Sequence, residues 1–187
     1  MNSTDKKKEV KNVGILKSKK SKLYPTYIFD KVEDIPYDLI KNENIRLIIL
    51  DMDNTLIDTK KVYSKKLKAW INKMKGNGVQ VYILSNTIYA KTVENLAKEF
   101  GVKFRFKAMK PFLGGFKKIA EETRIKKENI LMVGDQLFTD VLGGNRFGAK
   151  TVLVKPLRKK ETFVSKIKRP IEKIVLDRYI KRSGGKK

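Results

Sequence analysis

Two acidic residues separated by one residue, Asp51 and Asp53, end a short apolar run and are followed by Thr55. The run before them, residues 47–50, contains only leucine and isoleucine and is typical of a buried strand. In open α/β sheets, residues after the carboxyl ends of strands line the crevice in which ligands bind, and this placement suits a metal ion and a phosphate. Aspartate is also a common turn residue, so the pair alone could simply begin a turn.

Polar residues follow three other apolar segments further along the chain. They are Ser85 and Asn86 after 79–84, Lys110 after 102–106, and Asp135 and Asp140 after 130–133. Parallel strands share one carboxyl edge, so these side chains can converge although they are far apart in sequence. Taken singly, Ser85 could be an ordinary turn hydroxyl, Lys110 a surface lysine and Asp135 a helix N-cap.

Several carboxylates in one crevice predict a metal site, because they repel one another unless a cation lies between them. The candidate ligands are the four acids Asp51, Asp53, Asp135 and Asp140. Oxygen ligands alone favour Mg²⁺ over zinc. Beside such an ion, the hydroxyl of Ser85 and the positive charge of Lys110 would complement the oxygens of a transferring phosphoryl group.

From residue 45 onward, apolar patterns of strand and helix type alternate, which predicts an α/β fold with a mostly parallel sheet. Strands are expected at 45–50, 79–84, 102–106, 130–133 and 151–154, and helices at 62–75, 89–100, 112–123 and 138–147. The glycines of 76–78 and Gly101 are expected to end the first two helices. Segment 24–39, split by Pro25 and Pro36, is expected to wrap the domain as irregular structure with a short helix.

The chain divides into three expected parts. Residues 1–22 form a basic arm that we expect to be mobile, 23–169 form the core domain with its wrapping segment, and 170–187 form a basic helix and tail. In the helix predicted at 170–182, Ile174 and Val175 share an apolar face with Ile171. That face could pack on the domain's own core, or the helix could touch an anionic membrane.

Composition excludes several kinds of chemistry. The chain has no cysteine and no histidine, so it cannot form a disulfide, a thiolate nucleophile, a Cys/His zinc site or a Ser-His-Asp triad. Its 44 basic and 20 acidic residues give a formal charge of +24, which attracts polyanions such as RNA, acidic lipids or phosphorylated substrates, unless it only reflects a lysine-rich composition. No apolar stretch approaches the ~20 residues that cross a bilayer, so we expect a cytoplasmic protein, peripheral at most to the inner face of the membrane.

The order of these motifs resembles that of the haloacid dehalogenase superfamily. Segments 50–56 (LDMDNTL) and 134–148 (GDQLFTDVLGGNRFG) resemble, more narrowly, the YqeG-like IIIA-type phosphatases, which are relatives of the mitochondrial phosphatidylglycerophosphatase. The likeness extends over about 23–176. Thr87 departs from it, since a second asparagine is expected after Asn86.

The resemblance implies a Rossmann-like core of three layers and a phosphatase that needs Mg²⁺. Asp51 would attack phosphorus and form an aspartyl-phosphate, and Asp53 would protonate the leaving alcohol and then activate water. Lys110 would offset negative charge on the nucleophile and the phosphate. The remaining roles are substrate binding by Thr55, Ser85, Asn86 and Lys110, and metal binding by Asp135 and Asp140 beside the first two acids.

The spacing of the motifs leaves no room for an inserted cap domain. The interval between Thr55 and Val79 has room for one helix, and that between Ser85 and Lys110 has room for one helix and one strand. The cleft is therefore expected to stay open and to admit the phosphate of a large or surface-bound molecule. Together with the resemblance, this favours phosphatidylglycerophosphate at an anionic membrane surface. The alternatives are a phosphatase of nucleic-acid ends, phosphoproteins or small phosphoesters, and an RNA- or ribosome-binding protein on the same fold.

Overall fold

The computed structural model describes residues 21–58 and 62–157, together with Ile174, Val175 and Asp177. The predicted basic arm at 1–22 therefore lies almost entirely outside the described residues. The same holds for most of the predicted C-terminal helix and tail.

The centre of the fold is a six-stranded sheet in which every neighbouring pair of strands is parallel. The strands are β1 (Tyr27–Phe29), β2 (Leu47–Leu50), β3 (Gln80–Leu84), β4 (Lys103–Arg105), β5 (Ile130–Gly134) and β6 (Lys150–Val154). Their spatial order is β1-β6-β5-β2-β3-β4. Both central strands, β2 and β5, are buried along their whole length, which explains why their sequences are continuous apolar runs.

Helices cover both faces of the sheet, so the fold has the expected three layers. The helices are α1 (Tyr37–Asn42), α2 (Lys65–Gly76), α3 (Ala90–Phe100), α4 (Gly114–Thr123) and α5 (Leu142–Phe147). Ile48 and Leu50 pack in one core cluster with α2 and α3, whereas Leu47 and Ile49 pack with α4 on the opposite face. This division follows from the alternation of side chains along a strand.

The predicted helix ends are close to the observed ones. The Ser64 hydroxyl caps α2 by accepting a hydrogen bond from Leu67 N at 3.0 Å, and α3 ends at Gly101 in the left-handed conformation. Between β2 and β3 the described residues hold one helix, α2, and between β3 and β4 they hold one helix, α3. Within the described chain the fold is therefore uncapped.

The prediction for segment 24–39 was wrong in part, because it contains a sixth strand. β1 pairs in parallel with β6, with Tyr27 opposite Val152. The strand is three residues long, half-buried and at the edge of the sheet, so its sequence lacks both the apolar run of a central strand and a clear alternation. The expected short helix is present as α1.

The predicted helix at 138–147 is two elements. A π-helical turn, Leu137–Val141, comes first, and α5 follows it directly. Such turns are rare and often occur at functional sites, where they re-aim a side chain. Here the turn carries Asp140.

One described residue of the C-terminal segment contacts the core. Val175 packs against the cluster of Leu137, Val141 and Leu153. Ile174, expected on the same face, is 52% exposed. No helix in the described part of the chain combines the length and apolarity needed to span a membrane.

Candidate active site

The sheet register brings the first and last acidic motifs together. Asp51 directly follows β2 and Asp135 directly follows β5, and these strands are neighbours with Leu50 opposite Val133. The backbone N–H of Asp51 donates to Val133 O at 2.9 Å, which extends the pairing by one residue. Ser85 follows β3, the other neighbour of β2. The predicted convergence at the carboxyl edge is therefore what the fold produces.

Lys110 forms the electrostatic centre of this edge. Its ammonium lies 2.5 Å from Asp51 Oδ1 and 2.8 Å from Asp140 Oδ1, and donates to Leu84 O at 2.8 Å. The side chain is 1% exposed, so this charge is screened very little by solvent. A surface role for Lys110 is thereby excluded.

Asn86 positions Lys110 through its backbone. The Asn86 side-chain oxygen accepts from Lys110 N at 2.7 Å, and its amide group donates to Lys110 O at 3.1 Å. This pair of hydrogen bonds joins the loop after β3 to the loop after β4. The resemblance implies only a substrate-binding role for Asn86; the structure adds a contact that orients the lysine.

The pKa values reflect a crowded, buried set of charges. Burial lowers the pKa of Lys110, but the carboxylates of Asp140 and Asp51 outweigh burial, so the pKa is raised and the ammonium stays charged. Burial raises the pKa of Asp140 to about 6; Lys110 opposes this rise and Asp51 adds to it. One ammonium is thus shared by more than one carboxylate.

Three acids form a cluster suited to a hard cation. Asp51, Asp135 and Asp140 are all buried, and each offers a carboxylate oxygen within 4.8 Å of the others. Among the described residues, Asp51 Oδ2 has no hydrogen-bond partner, and Asp140 Oδ1 is near the Lys110 ammonium but outside hydrogen-bond geometry. Oxygen ligands with unused lone pairs and excess negative charge fit Mg²⁺.

The two remaining residues of the first motif, Asp53 and Thr55, differ in burial. Asp53 is exposed, and its carboxylate is not one of the three clustered acids, so its predicted metal role stays a prediction. Asn54, in the left-handed conformation, turns the loop so that Asp53 pairs with Ile57. Thr55 is buried, with its hydroxyl 3.5 Å from Asp135 Oδ1, which places it beside an acid of the cluster.

Ser85 is fully buried between the loops. Its hydroxyl oxygen accepts from Thr87 N at 3.1 Å, and its backbone N–H donates to Arg105 O at 3.0 Å. These contacts fix the start of the loop at the carboxyl edge. Binding of a phosphoryl oxygen by this hydroxyl stays a prediction.

Gly134 is a site requirement that the sequence reasoning did not single out. A Cβ atom at this position would lie 2.2 Å from Asp140 Oδ2, so only glycine permits the observed approach of that carboxylate. The same carboxylate oxygen accepts from Gln136 N at 3.1 Å. The feature of the sequence that could have indicated this requirement is the position of Gly134 directly before Asp135.

A protein-family model described as mitochondrial PGP phosphatase matches residues 8–157, which is most of the chain. The chain belongs to this family. Among curated proteins, it is 34% identical over 161 residues to the probable phosphatase YqeG of Bacillus subtilis, an alignment that covers 86% of this chain and 92% of the relative. The mitochondrial PGP phosphatase family and this relative establish the protein as an enzyme, a phosphatase of the haloacid dehalogenase type.

Two further likenesses agree with this family. A chloroplastic/mitochondrial phosphatidylglycerophosphate phosphatase 1 of Arabidopsis thaliana is 26% identical over 187 residues, which cover 92% of this chain and 53% of the plant protein. A solved structure of a predicted HAD-like family hydrolase from Porphyromonas gingivalis has a TM-score of 0.50 at 15% identity, covering 68% of this chain and 98% of that one. The structural likeness concerns the fold alone.

Proposed function

We propose that the protein is a Mg²⁺-dependent phosphomonoesterase that acts through an aspartyl-phosphate and hydrolyses phosphatidylglycerophosphate. The observation that carries the proposal is the state of Asp51. This carboxylate is buried, one oxygen is held by the Lys110 ammonium at 2.5 Å, and the other has no hydrogen-bond partner among the described residues. A fixed carboxylate with an available oxygen is what in-line attack on phosphorus requires.

The first half-reaction transfers the phosphoryl group to the protein. An oxygen of Asp51 forms a bond to phosphorus while the bond between phosphorus and the ester oxygen breaks. Asp53 gives its proton to the departing alcohol oxygen. Its exposure suits this role, because a general acid at the mouth of the cleft can reach a leaving group that remains partly in solvent.

The second half-reaction returns the protein to its starting state. Asp53, now ionised, takes a proton from water as the water oxygen attacks phosphorus, and the bond between phosphorus and Asp51 breaks. The products are inorganic phosphate and the free carboxylate of Asp51. In both halves, Lys110 offsets negative charge on Asp51 and on the phosphoryl oxygens, and Ser85 and Thr55 are the hydroxyl groups assigned to phosphate binding.

Asp51, Asp135 and Asp140 would hold the metal ion, because their buried oxygens form one cluster. Bound there, Mg²⁺ would neutralise charge on the phosphoryl group and the nucleophile. Asp53, predicted as a fourth ligand, would contribute from the adjoining loop.

Three observations support a lipid substrate. The cleft is uncapped in the described chain, so a phosphate on a large molecule can reach Asp51 without being enclosed. The Arabidopsis relative is named as a phosphatidylglycerophosphate phosphatase, and the charge of +24 favours approach to an anionic bilayer. We therefore assign the protein to the surface of a membrane rather than to its interior.

Phosphate release is the assay that tests this proposal. Purified protein is incubated with phosphatidylglycerophosphate, and separately with nucleotide, sugar and protein phosphoesters and with phosphorylated nucleic-acid ends, each with and without Mg²⁺. We expect Mg²⁺-dependent release from the lipid, loss of it in Asp51→Asn, and retention in the matched control Asp38→Asn, an exposed acid of α1. No release from the lipid alongside efficient hydrolysis of another compound would contradict the substrate assignment.

A further inference from the structure

Large apolar side chains are exposed on the two loops beside the candidate active site. Ile88 and Tyr89 follow β3, and Met109 and Phe112 flank the buried lysine in the loop after β4. Met109 is 69% exposed and Phe112 is 66% exposed. We call these four residues the apolar rim. Single exposed apolar residues are ordinary, but several of them together mark an interaction surface.

Hydrogen bonds join the two loops into one surface. Lys107 N donates to Thr87 O at 3.0 Å, directly before Ile88 in the sequence. Asn86 binds both the N–H and the carbonyl of Lys110. Because each loop is tied to the other near its exposed residues, the apolar rim lies beside the lysine that contacts Asp51.

The loop after β4 is held in an unusual conformation. Lys107 and Met109 both have positive backbone φ angles, 50° and 51°. Residues other than glycine, asparagine and aspartate rarely adopt such angles. Such conformations persist only where the surroundings hold them, and they cluster at functional sites. Phe112 N donates to Met109 O at 2.9 Å and closes the turn that presents both side chains.

The surroundings of the apolar rim are basic and lack acids. Residues 101–120 include six lysines and arginines and no aspartate or glutamate. Lys107 and Lys118 line, together with Met109 and Phe112, a cavity of about 330 Å³. In the part of the chain that the structure describes, neither of these two lysines pairs with an acid.

We propose that the apolar rim and its two lysines, Lys107 and Lys118, form an interfacial surface that inserts into an anionic lipid bilayer. Exposed apolar side chains beside lysines fit the boundary between acyl chains and negative headgroups. A second copy of the chain would bring lysine against lysine, and RNA would offer no hydrocarbon to Met109. The inference rests on the proposed function, because insertion would place the cleft beside a lipid phosphate.

Vesicle binding tests the surface directly. Wild-type protein is sedimented with vesicles of phosphatidylcholine alone or mixed with phosphatidylglycerol, and we expect binding to the anionic vesicles. Met109→Asn combined with Phe112→Ser should weaken it by on the order of 10- to 100-fold, since two largely exposed apolar side chains are removed. Asparagine tolerates the left-handed backbone of position 109. The control Ile174→Ser, which removes an apolar residue of similar exposure, should bind like wild type.

The charge contribution is measured separately. Lys107→Gln combined with Lys118→Gln should reduce the preference for anionic over neutral vesicles by about fivefold per lysine, and added salt should reduce it further in wild type. Turnover of a soluble aryl phosphate and the thermal unfolding midpoint should stay unchanged in both double variants. These two readouts separate loss of membrane contact from loss of folding.

Five results would overturn the proposal. The first four are absence of wild-type binding to anionic vesicles, equal binding by the rim variants, loss of binding through Ile174→Ser alone, and a wild-type dimer that the rim substitutions dissociate. RNA binding that depends on Met109 and Phe112 in place of vesicle binding would count equally against it. Vesicle binding without hydrolysis of phosphatidylglycerophosphate would refute the proposed substrate alone, and hydrolysis in detergent micelles without vesicle binding would refute the surface alone.

Discussion

Replacement of Lys110 by methionine isolates the contribution of the buried ammonium, because methionine keeps a long apolar side chain and removes the charge. The change leaves Asp51 and Asp140 buried without their shared cation. Breaking a buried ion pair by removing one partner typically costs about 3–5 kcal/mol. For a chain of this size, that corresponds to a fall in the unfolding midpoint of roughly 6–20 °C.

Thermal unfolding followed by circular dichroism in the presence of a metal chelator measures this cost. The control is Lys155→Met, which breaks an exposed ion pair with Asp30 of 2.7 Å and should change stability by at most about 1 kcal/mol. In the phosphatase assay, Lys110→Met should also lower kcat by about 10²- to 10³-fold, the usual effect of losing a transition-state charge contact. An unfolding midpoint and a kcat equal to those of wild type would refute the electrostatic role assigned to Lys110.

Three further predictions concern the metal, the glycine before the last motif and an ion pair remote from the site. Mg²⁺ at 100 times its Kd should increase the unfolding free energy of wild type by about 2.7 kcal/mol and so raise its unfolding midpoint. Asp135→Asn should remove most of this stabilisation, and equal stabilisation of both proteins would contradict the ligand assignment. Gly134→Ala should abolish phosphatase activity because its Cβ would lie 2.2 Å from a buried carboxylate, whereas Gly76→Ala, with nothing within 4 Å, should leave activity unchanged; assays of both variants decide this. Hydrogen bonding by Lys150 lowers the pKa of Glu43, so this pair stabilises the fold above the unfolded-state pKa of the carboxyl and the stabilisation is lost as the pH falls through the folded-state value. Urea unfolding of Lys150→Met should therefore show destabilisation at neutral pH that disappears in acid, and a pH-independent difference would refute it.

The parts of the fold that the sequence predicts well are those with strong local patterns. The strands β2, β3 and β5 are apolar runs followed by polar residues, so both their existence and the edge at which they end could be predicted. The strand β1 could not, because its pairing with β6 is a long-range contact and its three residues carry no distinct pattern. The π-helical turn that carries Asp140 also has no local signal that separates it from an α-helix.

The candidate site divides in the same way. The convergence of Asp51, Asp135 and Lys110 follows from a parallel sheet with polar residues after its strands, and it was predicted. Two features of the site could not be predicted, because they depend on how loops pack against one another. They are the two hydrogen bonds between Asn86 and the backbone of Lys110, and the exposure of Asp53 beside the buried Met52.

The most direct test of the account is to trap the phosphorylated protein. A single turnover of phosphatidylglycerophosphate with Mg²⁺ is quenched in acid, and the masses of the intact protein and of its peptides are measured. The account predicts one added phosphoryl group, located on Asp51 and absent from Asp51→Asn. Phosphate release by Asp51→Asn at the wild-type rate, or a phosphoryl group on another residue, would contradict it.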